Sequence, residues 1–178
     1  VVRPHVSHGA RGMLEVGFGI SPQHATFAAL QDAFYDEYQQ NICIESTLFA
    51  GIDSLVSALE QHAISWGIVT NKAARFALPI AEALGFAQRA GCIVCGDTTP
   101  HTKPHPAPLL HAADLIGIAP ADTLYVGDHV RDIQAAHAAG MRGVVAAYGY
   151  IGADTDSRLW GAAFSIAAPS ELKPLVCS

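Results

Sequence analysis

The sequence predicts an α/β fold, an open parallel sheet with helices on both faces, preceded by a helical segment. After about residue 46, short apolar runs alternate with amphipathic stretches of about ten residues, the pattern of strands joined by helical crossovers. The apolar runs are continuous, as strands covered on both faces require. We therefore expect two units, a helical segment over residues 1–46 and an α/β domain over residues 47–178.

The helical unit contains two predicted helices. The segment 21–40 begins with Ser21 as N-cap and Pro22 at the first helical position. Its apolar side chains then recur at helical spacing, on one face: Phe27, Leu30, Phe34 and Tyr38. The segment 8–19 predicts a shorter helix, weakened by its glycines.

In the α/β unit, predicted strands and helices follow one another. The strands, which are short and apolar, are residues 65–70, 92–95, 123–127, 142–148 and 164–167. The helices, which have amphipathic spacing, are residues 51–64, 73–85, 106–117, 131–140 and 170–177. Because helices separate the first four strands, these strands should lie parallel.

Composition and charge limit the kinds of partner that the protein can have. Of 178 residues, 51% are apolar and 15% charged, which is ample material for a buried core. There are 16 acidic and 10 basic residues, a net charge of -6, and no cluster of lysine and arginine. We therefore expect no nucleic acid and no membrane as partner, since no apolar run reaches the roughly 18 residues of a membrane span. A monomer or a homodimer is expected.

The cysteines and histidines give no clear metal or redox motif. Cys92 and Cys95 have C-x-x-C spacing but lie in a predicted strand, whereas a redox pair normally opens a helix and a zinc site needs a second ligand pair. Buried, unreactive thiols in a reducing cytoplasm are expected. His101 and His105 flank Lys103 and could line a cleft, although a solvated loop is the better interpretation.

The chemistry is expected where the strands end, because ligands of open parallel sheets bind outside the carboxyl ends of the strands. Thr70 and Asn71 follow the first strand, and Lys103 lies in the loop after the second. Asp128 follows the third strand. A hydroxyl, a lysine and a carboxylate should therefore meet along one edge, where they can bind a phosphate and a hard cation together.

Thr70, Asn71 and Lys103 also have a purely structural interpretation. Thr70 and Asn71 could simply cap the next helix. Lys103 could be a solvated surface lysine. Against this, Pro104 and Pro106 stiffen the lysine's loop, as a lysine aimed at a phosphate requires.

Asp128 and Asp132 are four residues apart. If the segment from His129 is helical, both carboxylates lie on one face near the helix N-terminus. The helix dipole favours negative charge there, so capping explains the pair as well. Mg²⁺ is usually held by one or two carboxylates with waters and substrate phosphate, which the pair also suits.

Taken together and in this order, three motifs resemble those of the haloacid dehalogenase superfamily, in its phosphoglycolate phosphatase-like branch. They are GIVTNK with Thr70, HTKPHPAPL with Lys103, and YVGDHVRDIQAAHAAG of the form G-D-x-x-x-D. The resemblance implies a Rossmann-like core and a mobile helical cap that includes residues 1–46. It implies an Mg²⁺-dependent phosphatase in which Thr70, Asn71 and Lys103 bind phosphate. Asp128 would ligate Mg²⁺, and Asp132 would orient it without touching the metal.

The resemblance also bears on the substrate, a small phosphate ester. The stretches SHGARGML, WGIVTNKAARFALPI, YGYI and RLWGA resemble family members that act on N-acetylmuramic acid 6-phosphate. That ester and 2-phosphoglycolate both carry a carboxylate, which a guanidinium can bind bidentately. Arg11 is the candidate for this specificity, with an exposed arginine on a cap helix as the alternative.

The family's first motif, D-x-D-G-T at the end of a central strand, is absent from the sequence. In the family it supplies the nucleophile and the general acid/base. The one D-x-D here, Asp154 and Asp156, follows no strand. We therefore expect about 40 further N-terminal residues, the size of one βα unit with its loop. Without them the chain should be inactive, and two sheet edges should face each other across a gap.

Two other functions stay open at this point. One is an inactive chain of the same fold that binds a ligand or a partner, which only the missing first motif supports. The other is a dehalogenase of the same fold, against which the G-D-x-x-x-D acids argue because that chemistry needs no metal.

Overall fold

The computed structural model describes residues 9–152 and 155–177. Helices in this part of the chain are α1 (Gly9–Phe18), α2 (Phe27–Gln40), α3 (Ile52–Gln61), α4 (Ala74–Ala83), α5 (Ala107–Ile116), α6 (Val130–Ala138) and α7 (Lys173–Val176). The strands are β1 (Ile68–Val69), β2 (Ile93–Val94), β3 (Leu124–Gly127), β4 (Arg142–Ala146) and β5 (Phe164–Ile166). The predicted order of helices and strands is confirmed, although every strand is shorter than predicted.

All strand pairs are parallel, as predicted, and they form two separate sheets. In the first, β1 pairs with β2, and Ile68 lies opposite Ile93. The second has the order β3-β4-β5, and Val126 lies opposite Val144. Strands β1 and β3 each pair with a neighbour along one edge only, so each has one unpaired edge.

Helices cover both faces of the sheets because successive strand side chains point to opposite sides. On one face, Val69 and Tyr125 pack against a cluster from α5, α6 and the turn after α6, formed by Leu109, Ala113, Ala135, Ala136, Ala139 and Met141. On the other face, Leu124 and Val126 pack with Leu55 and Leu59 of α3. The predicted three-layer arrangement is thus confirmed.

The unpaired edges of β1 and β3 line a common apolar groove of about 590 Å³. Ile68 and Val69 of β1 lie on one side, and Leu124 and Val126 of β3 on the other. One side chain crosses the groove, since the Tyr125 hydroxyl donates to the Val69 carbonyl oxygen at 3.0 Å. The expected gap between two facing sheet edges is therefore present.

The start of α2 differs from the prediction. Ser21 and Pro22 precede a turn, and the N-cap is Thr26 instead of Ser21. In this turn the Phe27 amide donates to the His24 carbonyl oxygen at 2.9 Å, and the His24 ring is hydrogen-bonded to the Thr26 hydroxyl. The local side-chain bonds therefore delay the helix.

In residues 9–152 and 155–177, every helix is too short or too polar to cross a bilayer.

Candidate active site

The side chain of Lys103 occupies the centre of the strand-end edge. Its Nζ lies 2.8 Å from Asp132 Oδ1 in an ion pair. It also donates to the Tyr125 hydroxyl oxygen at 2.6 Å and to the Val69 carbonyl oxygen at 3.0 Å. All three ammonium protons have acceptors, and the side chain is only 9% exposed. The alternative of a solvated surface lysine is therefore wrong.

The loop of Lys103 is tied to the end of β1 by the side chain of Asn71. The Asn71 amide group donates to the Lys103 carbonyl oxygen at 2.9 Å and accepts from the Lys103 amide at 3.0 Å. Two hydrogen bonds between the same two residues fix both distance and orientation. The Asn71 side chain thus positions the lysine, while a phosphate contact through its backbone stays a prediction.

The turn after β1 is closed by Thr70. Its hydroxyl oxygen accepts the Lys72 amide proton at 3.1 Å, so its own proton is left to donate. Helix α4 begins beyond this turn, and the first amide of that helix, Ala74, is bound by Asp97 Oδ1 at 2.9 Å. The alternative that Thr70 and Asn71 cap this helix is therefore wrong, since Asp97 does so.

Asp132 lies in the first turn of α6 and is almost fully buried, at 6% exposure. One oxygen pairs with Lys103, and the other accepts the His129 amide proton at 3.1 Å. The carboxylate packs directly on Gly127, where a Cβ atom would lie 2.4 Å from Asp132 Cβ. Glycine before Asp128 is thus a steric requirement of this ion pair.

Asp128 faces a different neighbour, and the prediction that it lies on one helical face with Asp132 is wrong. His129 is the N-cap of α6 with an extended backbone, φ -136° and ψ 148°, so Asp128 lies outside the helix and shares no helical face with Asp132. Its Oδ2 accepts the Tyr150 amide proton at 2.8 Å. The two carboxylates therefore separate, with Asp132 turned to the lysine and Asp128 half-exposed at the strand end.

Tyr125 is a site residue that the sequence reasoning missed. Burial raises the pKa of its hydroxyl well above the usual range, and the charges of Asp132 and Asp128 add to this effect. The phenol therefore stays protonated, accepting from Lys103 while donating to Val69. A tyrosine in an apolar strand directly before Val-Gly-Asp was the available signal, because a buried hydroxyl needs a partner.

The oxygen donors fit a hard cation only in part. Asp128 offers a half-exposed carboxylate, the donor type that Mg²⁺ prefers. Asp132 is occupied by the lysine. Within residues 9–152 and 155–177, no three His, Cys, Asp or Glu side chains are grouped to hold a metal ion. The described residues could therefore supply one carboxylate ligand, with the remaining positions left to water and phosphate.

Comparison with known proteins decides the family. A family model described as haloacid dehalogenase-like hydrolase matches residues 13–146. The chain belongs to this family. The family resemblance read from the three motifs is thereby confirmed.

Two curated relatives in the haloacid dehalogenase-like family cover nearly the whole chain. The N-acetylmuramic acid 6-phosphate phosphatase of Pseudomonas putida (strain KT2440) is 37% identical over 178 residues, 100% of this chain and 80% of that protein. The phosphoglycolate phosphatase of Xanthomonas campestris pv. campestris (strain 8004) is 43% identical over 171 residues, 96% of this chain and 77% of that protein. Both relatives are named as phosphatases.

A solved structure of the family confirms the fold. The crystal structure of a predicted phosphoglycolate phosphatase from Haemophilus somnus 129PT aligns with a TM-score of 0.84 at 25% identity. The alignment covers 98% of this chain and 80% of that one. The predicted open α/β fold of the family is thus confirmed.

The other sequence candidates are not among the hydrogen-bond and ion-pair partners that the structure gives Lys103 within the described residues. Arg11 is exposed on α1, and in the described part of the chain it forms no hydrogen bond or ion pair with the strand-end residues. His101 and His105 are exposed and stack at 4.1 Å between ring centres, as expected of a solvated loop. Cys92 and Cys95 are buried free thiols, as predicted, and burial raises the pKa of both.

Proposed function

We propose that the protein is an Mg²⁺-dependent phosphomonoester hydrolase that acts on a small ester carrying a carboxylate or a sugar, N-acetylmuramic acid 6-phosphate or 2-phosphoglycolate. The names of its relatives support the reaction class. The observation that carries the proposal is the buried ammonium of Lys103, fixed by the Val69 carbonyl, the Tyr125 hydroxyl and the Asp132 carboxylate. A lysine held so firmly at the edge of an open sheet is suited to a phosphate.

Thr70 and Lys103 would bind the phosphoryl group. The Thr70 hydroxyl would donate its proton to one phosphoryl oxygen, and the backbone amide of Asn71 would donate a second hydrogen bond to the phosphate. Lys103 would offset the negative charge that two anions bring together when a carboxylate approaches a phosphate. The Asn71 side chain and Asp132 hold Lys103 in place, and to contact a phosphoryl oxygen its ammonium would exchange one of its two neutral acceptors, the Val69 carbonyl or the Tyr125 hydroxyl.

Asp128 would be the metal ligand contributed by this chain. Bound Mg²⁺ would neutralise phosphate charge in such a site. Asp132 would act on the metal site only through its effects on Lys103 and on the start of α6. This assignment keeps one carboxylate for the cation and one for the lysine.

The attacking carboxylate is proposed to come from a preceding segment that lies as a strand in the groove between β1 and β3. Asp156 is no candidate because its carboxylate is bound by Arg158 at 2.8 Å on the surface, and Asp154 lies outside the described residues. The carboxylate would attack phosphorus, the bond from phosphorus to the ester oxygen would break, and the leaving oxygen would take a proton from a second acid. Water would then hydrolyse the acyl phosphate.

The remaining expectations belong to the same proposal. Residues 1–46 would form part of a helical cap that closes over residues 47–178 and excludes water. Arg11 would lie on this cap as a specificity residue. The four free cysteines are consistent with a reducing cytoplasm. We further propose a monomer or a homodimer without nucleic acid or membrane partners.

The test is product analysis on the full-length protein with phosphate esters and with 2-haloacids. We expect phosphate release and no halide release. Lys103→Ala should lower kcat/KM by roughly 10²–10³-fold, as expected when one preorganised charge-stabilising donor is removed. Halide release, or binding without any turnover, would instead support one of the two alternatives.

A further inference from the structure

Lys72 and Arg75 are two cations near the site that lie against aromatic rings. Lys72 Nζ donates to the Tyr38 hydroxyl oxygen at 2.7 Å and lies 4.5 Å from the centre of that ring. Arg75 Cζ lies 4.5 Å from the centre of the Phe76 ring and 5.0 Å from that of Tyr35. In the part of the chain that the structure describes, neither cation is ion-paired with a carboxylate.

Three other cations, Arg89, Lys103 and Arg158, are ion-paired with acids. Arg89 pairs with Asp53 and Glu60, and Lys103 pairs with Asp132. Lys72 is exposed, and the hydroxyl that it contacts is neutral. The hydrogen bond from Lys72 to Tyr38 has a charged donor and an uncharged acceptor, whereas a carboxylate acceptor would add the attraction between opposite charges. A carboxylate can therefore compete with Tyr38 for the lysine.

The position of Lys72 links it to the phosphate end of the site. It is two residues from Thr70, so their Cα atoms are at most about 7 Å apart. Its amide donates to the Thr70 hydroxyl oxygen at 3.1 Å, and its carbonyl oxygen accepts the Gly96 amide proton at 2.8 Å. The backbone is therefore fixed at both sides, and the side chain is the part that can move.

We propose that Lys72 binds the carboxylate of the substrate, exchanging the Tyr38 hydroxyl for it when the phosphate is held at Thr70. This inference rests on the proposed function and narrows its substrates to phosphate esters that also carry a carboxylate. Arg75 keeps its ring contacts and adds positive charge beside the same position. Since Tyr38 belongs to α2, carboxylate binding also breaks a contact between α2 and the turn after β1.

The experiment compares matched substrates on the full-length protein. One pair is 2-phosphoglycolate and ethyl phosphate. The second is N-acetylmuramic acid 6-phosphate and N-acetylglucosamine 6-phosphate, which lacks the lactyl carboxylate. For Lys72→Met we expect kcat/KM to fall about 10- to 100-fold on the preferred carboxylate ester, mostly through KM, as for the loss of one charged hydrogen bond. For the member of that pair without a carboxylate, kcat/KM should change by less than about threefold, and Lys72→Arg should restore part of the loss.

Two control variants make the outcome decisive. Lys173→Met removes an exposed lysine of α7 and should leave both members of each pair unchanged. Arg11→Met tests the rival cation on α1. The inference is overturned if Lys72→Met lowers kcat/KM equally for both substrates of a pair. It is also overturned if Arg11→Met, and not Lys72→Met, removes the preference for the substrate that carries a carboxylate. Failure of the wild-type protein to cleave any phosphate ester would refute the proposed function instead.

Discussion

Replacing Asp132 by asparagine should destabilise the folded protein strongly, because the replacement leaves the Lys103 ammonium buried without a countercharge. The lysine side chain is 9% exposed and would keep only neutral acceptors, the Val69 carbonyl, the Tyr125 hydroxyl and the side-chain amide oxygen introduced at position 132. Breaking a buried pair by removing one partner costs about 3–5 kcal/mol. With a urea slope of roughly 2–3 kcal/mol per M, the unfolding midpoint should fall by roughly 1–2.5 M.

The assay is equilibrium urea unfolding of the full-length protein in a double-mutant cycle. Lys103→Met combined with Asp132→Asn removes both charges, so the double variant should be more stable than Asp132→Asn alone. Asp156→Asn is the matched control, because its ion pair with Arg158 is on the surface and should leave the midpoint nearly unchanged. The reasoning is refuted if the losses of the two single variants simply add, since the ion pair would then contribute no coupling energy.

Three further predictions use neighbouring features. Gly127→Ala should lower kcat/KM by roughly 10-fold or more, because the added Cβ would lie 2.4 Å from Asp132 Cβ and displace the carboxylate. Steady-state kinetics tests this prediction, and a variant with the kcat/KM of the wild-type protein would contradict it. The raised pKa of Tyr125 means that the folded state holds its proton longer than the unfolded state, so stability should fall as pH rises above about 10. Urea midpoints at pH 9 and 10.5 should show a smaller loss in Tyr125→Phe, and an equal loss would contradict the prediction. Iodoacetamide should leave Cys92 and Cys95 unlabelled in the native protein, because burial raises the pKa of both thiols. Peptide mass spectrometry measures the labelling, and rapid modification of either thiol would contradict the prediction.

The sequence was sufficient to predict which strand ends carry polar groups. Thr70, Lys103 and Asp128 each follow a short apolar run, and the parallel order of the strands brings their carboxyl ends to one edge. This inference needs only the order of elements along the chain. The gap between β1 and β3 was predicted from the family resemblance instead, because a family strand without a counterpart in the sequence leaves two edges unpaired.

The partners of each group could not be predicted, because they depend on backbone angles and on contacts distant in sequence. The extended conformation of His129 separates Asp128 from Asp132, and helical spacing alone does not show it. Lys103 is bound by Val69 and Tyr125, which lie 34 and 22 positions away. Such contacts arise only when the layers pack.

The most direct test of the proposed phosphatase is phosphate release by the full-length protein before and after removal of divalent cations. Steady-state turnover of 2-phosphoglycolate and N-acetylmuramic acid 6-phosphate would be measured with Mg²⁺, with EDTA, and after Mg²⁺ is restored. We predict turnover in Mg²⁺, its loss in EDTA and its full recovery, with Asp128→Asn inactive at Mg²⁺ concentrations that saturate the wild-type protein. Equal turnover in EDTA, or an Asp128→Asn variant as active as the wild type, would contradict the account.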